Sequence, residues 1–164
     1  MTSSSSVNLR VIISKIRSIW AKYGNRVLSK NSTFSLKDMT NQLLEFKEIL
    51  KSRPASVRKV DQQTRKLLLY LFTNTRGGFT RLRIIMHLLD QPYNTHQLAQ
   101  ELDLDYKAVQ HHLKVLEKNN MVSKIGEKYG AIFHLSNFLE MNISALDEAI
   151  EKLDRKLNHK KVYL

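Results

Sequence analysis

Six histidines, at positions 87, 96, 111, 112, 134 and 159, are the side chains best suited to metal or proton chemistry. His111 and His112 are adjacent, which on a helix points them to different sides and denies them a shared ion. The other four stand alone, without an HExxH or comparable ligand spacing. The chain has no cysteine, so thiolate metal sites, iron–sulfur clusters, disulfides and cysteine nucleophiles are excluded together. There is no Walker motif, GxGxxG or GxSxG, and Gly77-Gly78 falls between helical patterns rather than after a strand. No cofactor, metal or catalytic group is expected, and the chain does not read as an enzyme.

What remains is a set of cationic and hydrogen-bonding side chains at helical spacing: Tyr106, Lys107, Gln110, His111 and Lys114. Lys124, Lys128 and Tyr129 follow closely. In a major groove Gln110 could pair with adenine, and Lys107 or Lys114 with guanine or a phosphate. Lys124 and Lys128 suit phosphate or minor-groove contact, which positions a protein without reading sequence. The overall charge agrees. Against 15 Asp+Glu the 164 residues carry 27 Lys+Arg, a net charge of +12. A pI near 10.0 calls for a polyanionic partner, either nucleic acid or an acidic membrane surface.

The charge is uneven. Residues 1–73 hold 14 basic and 4 acidic side chains, residues 74–136 hold 8 and 6, and residues 137–164 hold 5 and 5. Up to Lys37 there is no acid at all, behind a Ser3–Ser6 run, a composition shared with organelle transit peptides. No apolar run approaches the roughly 20 residues that span a bilayer. Hydrophobic content of 42% and charged content of 26% exclude wholesale disorder. Cysteine absence fits an intracellular chain, and a cytoplasmic location is expected.

Elements must hold these side chains in place. Leu9, Ile12, Ile13, Ile16, Ile19, Trp20 and Tyr23 fall at helical spacing, and Gly24-Asn25 is a natural stop. A second helix opens at Ser35 with Asp38 at the acidic position of a capping box, and must end before Pro54. A third apolar run, Val57, Val60, Thr64, Leu67 and Leu71, stops near Asn74, and Thr75–Gly78 reads as a hinge or tight turn.

From Phe79 the pattern shortens. Phe79–Asp90 is a helix with Leu82, Ile85, Met86 and Leu89 on one face, broken by Pro92 and Tyr93. Asn94 or Thr95 caps a short helix burying Leu98, Ala99 and Leu102, with Gln97 at the reciprocal capping position. Asp105 caps a longer one through Lys118 that buries Val109, Leu113 and Leu116. Two such helices across a tight turn, the second polar and basic outside, form the helix-turn-helix pattern. After Asn119-Asn120, Met121–Ile125 and Ala131–Leu135 read as strands around Gly126–Gly130, a hairpin that makes a wing.

The stretch from Thr75 to Ser136 resembles the winged helix-turn-helix of the arsenic-repressor (ArsR-like) type, particularly its archaeal branch. The segments that carry the likeness are TRGGFTRLRIIMHLL, NTHQLAQELDLDYKAVQHHLKVLEKNNMV and EKYGAIFHLS, of which VQHHLKVLEKNNMV is the most specific. The resemblance implies that Tyr106, Lys107, Gln110, His111 and Lys114 face DNA, with Lys128 and Tyr129 at the wing tip. Metal-sensing members of the family commonly carry cysteines on the helix before the recognition helix; here that helix is THQLAQEL, without one.

From Phe138 a last helix carries Leu139, Ile143, Leu146, Ile150, Leu153 and Leu157 in a four-three rhythm, read as a seam between two copies, with packing on its own domain as the alternative. The expected fold is therefore mainly α with a small β-hairpin. It comprises a basic helical extension over 1–73, a winged helix-turn-helix over 74–136 and a dimerisation helix over 137–164. The expected function is a sequence-specific transcriptional regulator that binds double-stranded DNA as a homodimer. The alternative is a winged helix that docks proteins, with peripheral membrane association through the basic amphipathic run Leu9–Tyr23.

Overall fold

Ser35 opens the first element of the computed structural model, which describes residues 35–52, 60–127 and 130–161. The expected helix over Leu9–Tyr23 and the wing-tip residues Lys128 and Tyr129 lie outside the described residues. Helix α1 spans Leu36–Lys51: Ser35 Oγ accepts from Lys37 N at 3.2 Å, and Asp38 Oδ2 accepts the Ser35 N–H at 3.0 Å, closing the capping box. Helix α2, Gln62–Leu69, starts on Asp61, whose carboxylate accepts from Gln63 N at 2.8 Å and Thr64 N at 3.0 Å.

Helix α2 runs into a π-helical turn, Tyr70–Asn74, ahead of α3, Gly78–Asp90. A widened turn leaves carbonyls outside the usual helical ladder, and side chains take them. Leu71 O accepts from Thr75 Oγ1 at 2.9 Å and from Arg81 Nε and Nη2 at 3.2 and 2.9 Å. Lys156 Nζ donates to Thr73 O at 2.8 Å. Gly77 holds φ +81°, and a Cβ there would stand 2.6 Å from His112 Cε1; a Cβ on Gly78 would overlap Phe72 O. The glycine pair is thus set by one left-handed residue and two close approaches.

The rest follows in order: β1 Tyr93–Asn94, α4 Thr95–Leu102, α5 Tyr106–Lys118, β2 Val122–Ile125, β3 Ile132–Leu135, α6 Asn137–Met141 and α7 Ser144–Lys161. The strands form one antiparallel sheet in the order β1-β3-β2, with Tyr93 opposite Phe133 and Val122 opposite Leu135. The expected hairpin therefore gains a third strand, because Tyr93, read as a helix break, and Asn94, read as a helix cap, pair with β3. The architecture is mostly helical with a small three-stranded sheet, a winged helix-turn-helix. One apolar cluster runs through it from Leu43 on α1 to Leu153 on α7. Helix α3 sits inside that cluster, burying Arg81, Ile84, His87 and Leu88 as well as the expected face.

The C-terminal segment departs from the sequence expectation twice. It is not one helix: Asn142, at φ −114° with its side chain donating to Phe138 O at 2.8 Å, separates α6 from α7. The stripe expected to join two copies is, moreover, covered within the chain. Leu139, Leu146 and Ile150 are fully buried, and Ile143 and Leu153 nearly so; the side chain of Leu157 lies outside the described residues. Helix α7 lies against α1, α2 and the π turn, edged by ion pairs of Lys47 with Asp154 at 3.3 Å and Arg65 with Glu148. The physical reason is simple. A winged helix alone has too little surface to cover so long a stripe, and the N-terminal helices provide the cover.

Candidate nucleic-acid interface

The second helix of the helix-turn-helix is α5, and its start is fixed by its neighbours. The Asn94 side chain accepts from Gln97 N at 2.8 Å while Gln97 Oε1 accepts the Asn94 N–H at 2.9 Å, so α4 begins on a complete capping box. It ends on Asp103 in the left-handed region at φ 51°, with Leu104 N donating to Ala99 O at 2.9 Å. Asp105 then accepts from Lys107 N at 2.8 Å and Ala108 N at 3.3 Å, starting α5. From beneath, Arg83 Nη2 donates to Leu102 O at 3.1 Å and holds the turn to α3. Val109, Leu113 and Leu116 anchor α5 in the core, as its 3.6-residue period requires.

Facing outward, the helix shows a groove of about 580 Å³ between itself and the wing. Its lining brings together Tyr106, Gln110 and Lys114 from α5 and Lys124 from β2, with Thr95 at the start of α4, Glu117, and the wing residues Ala131 and Phe133. Four residues singled out in the sequence therefore converge. Gln110, Lys114 and Lys124 are exposed and Tyr106 is half-buried. Lys107 and His111 are exposed on the outward face of α5, beside the groove rather than in it.

Three further residues belong to this surface. Glu117 lies seven residues after Gln110, a spacing that returns it to the same face of a helix. Lys118 is exposed four residues after Lys114 and extends the cationic stripe. Thr95 was legible only as a cap. The histidine pair divides as adjacent helical residues must: His111 faces solvent, and its ring meets His112 edge-on at 5.6 Å, while His112 turns back over Gly77. Burial, then the Arg81 and His111 charges, lower the His112 pKa, so its imidazole favours the neutral form. Among the described residues no group of three or more His, Asp or Glu could hold a metal ion, and no helix is long and apolar enough to cross a membrane.

This geometry, a capped helix and a two-stranded wing flanking a cationic groove, has a counterpart in sequence. Residues 79–124 match the arsR family of bacterial regulatory proteins. The matched segment runs from the start of α3 into β2 and so holds the whole helix-turn-helix. Among solved structures, the chain is similar to reduced HlyU from Vibrio cholerae N16961, at 25% identity over 57% of this chain and 88% of that one, with a TM-score of 0.40. A second structure of HlyU from the same organism is 23% identical over 59% of this chain and 96% of that one, also at a TM-score of 0.40. No curated protein matches the chain.

Proposed function

We propose that this protein is a sequence-specific transcriptional regulator that inserts α5 into the major groove of double-stranded DNA and sets its wing on the adjacent backbone. The observation that carries the reading is the groove in which Gln110, Lys114 and Lys124 meet between the recognition helix and the wing, inside the segment that matches a regulator family. Gln110, Lys107 and His111 read base edges; Lys114, Lys118, Lys124 and Lys128 neutralise phosphates; Tyr106 and Tyr129 flank the backbone. Residues 74–136 are the reading unit, with α1, α2 and α7 as its brace. The basic run before Ser35 adds sequence-independent phosphate attraction.

The protein acts as a homodimer, so that two recognition helices meet inverted half-sites about one DNA turn apart. With the Leu139–Leu153 stripe covered, the contact between copies falls on side chains exposed in the single chain. Among the described residues, Leu44 on α1, Tyr70 in the π turn and Met141 on α6 are the large apolar ones outside the wing.

Alanine substitutions separate reading from positioning. Gln110→Ala is expected to cost about 1–3 kcal/mol at a selected site and little on scrambled duplex. Lys124→Ala is expected to weaken both together and to reduce the slope of log affinity against log salt by about 0.9. Fluorescence anisotropy titrations over a salt series measure both quantities. Equal losses on both duplexes for Gln110→Ala would show that this face does not read bases.

A further inference from the structure

A single acid interrupts the cationic groove. Glu117 lies in it with Lys114 one helical turn before it on α5 and Lys124 on the facing strand. Among the described residues no ion pair engages its carboxylate: the closed pairs are Lys47 with Asp154, Arg65 with Glu148 and Arg155 with Glu151, all outside the groove. It is half-buried in the groove lining, on the same face as Gln110. A phosphate drawn to Lys114 or Lys124 therefore approaches a negative charge in the same groove. At about 4 Å in water-like surroundings, that repulsion corresponds to a factor of about five in affinity.

We propose that Glu117 is a specificity-determining residue that acts against the DNA backbone: it weakens the grip of Lys114 and Lys124 on any phosphate and so suppresses binding to non-cognate sequence. The inference rests on the reading of this groove as the DNA contact. Phosphate attraction supplies nearly all of non-specific binding, whereas base contacts are short-range and depend on Gln110 and its neighbours. The repulsion acts in every complex, but at a cognate site the Glu117 carboxylate can accept from a base-edge donor such as a cytosine N4 amino group, which offsets it there and not on other sequence. The discrimination ratio rises while absolute affinity falls. The small surplus of basic over acidic side chains on residues 74–136, 8 against 6, is consistent with a module that limits its own backbone affinity.

The test uses the full chain, a duplex enriched by selection and a scrambled duplex of equal length, titrated by fluorescence anisotropy at several salt concentrations. Glu117→Gln preserves shape and removes the charge. It is expected to tighten binding to the scrambled duplex about three- to tenfold and to lower the ratio of selected to scrambled affinity. Glu117→Lys is expected to go further in the same direction with a steeper salt slope. Glu140→Gln, which removes an exposed acid on α6 outside the groove lining, controls for net charge and is expected to change scrambled affinity less than twofold. If Glu117→Gln leaves scrambled affinity within twofold of wild type, weakens it, or is matched by Glu140→Gln, the proposal is overturned while the DNA reading stands. If the wild-type chain binds neither duplex, both fall together.

Discussion

Leu146→Asp is expected to abolish the cooperative fold of the whole chain. Leu146 is fully buried on α7, in the apolar cluster shared with α1 and α3, and α7 lies against α1, α2 and the π turn. Truncating a buried leucine to alanine costs about 3–5 kcal/mol, and a carboxylate with no partner adds several more for its lost hydration. A domain of this size has about 5–15 kcal/mol to lose. Urea unfolding followed by circular dichroism is expected to show Leu146→Ala shifted by about 3–5 kcal/mol and Leu146→Asp without a folded baseline. A Leu146→Asp chain with an unchanged transition and only a smaller mass would instead return this stripe to an interface between copies.

The second large effect concerns acid. His87 lies within α3, almost wholly buried, its ring edge-on to Tyr93 at 6.1 Å between centroids. Burial, with the Arg83 charge adding to it, pushes its pKa from 6.5 down to about 3. Above pH 6.5 both folded and unfolded chains hold a neutral imidazole, and His87 gives no pH dependence. Between about 6.5 and 3 the unfolded chain binds a proton that the folded chain refuses. Stability therefore falls with acidification, by about 1.4 kcal/mol per pH unit and about 5 kcal/mol across the window. The lowered pKa of His112 acts in the same direction. His87→Phe keeps a ring against Tyr93 and removes the proton site. Denaturant unfolding from pH 7.5 to 4.5 is expected to show the variant with a markedly flatter stability profile, whatever its stability at neutral pH. Parallel profiles would mean that His87 is protonated in the folded chain.

Local chemistry made much of this structure legible in advance. Ser35 with Asp38, Asn94 with Gln97, and Asp105 each start a helix where their side chains can accept orphan backbone N–H groups, and those signals need no tertiary context. The outward face of α5 was legible for the same reason: once Asp105 fixes the start, the 3.6-residue period sorts the buried Val109 and Leu113 from the exposed Lys107 and Gln110. Partners across the fold were not legible. The Leu139–Leu153 rhythm states that one face is covered, but the same rhythm serves a dimer seam and an internal packing surface. Only the position of α1 and α2 decides between them. Nor does any residue pattern foretell that Tyr93–Asn94 pairs with β3, since two residues are too few for alternation to show. The π turn depends on Arg81 returning to Leu71 O from ten residues further on, a contact invisible to a local reading. Glu117 was recoverable from its seven-residue spacing to Gln110, yet a search for cations passes over an acid.

Selection of bound duplexes from a random library by the full chain tests the central claim most directly, when repeated with Gln110→Ala. If the groove between α5 and the wing reads double-stranded DNA, wild-type protein enriches one sequence motif arranged as inverted halves about one helical turn apart. Gln110→Ala then relaxes the preference at a symmetry-related position in each half and leaves the other positions intact. Recovery of no motif by the wild-type chain, or of the same motif with undiminished preference at every position by Gln110→Ala, would contradict the account.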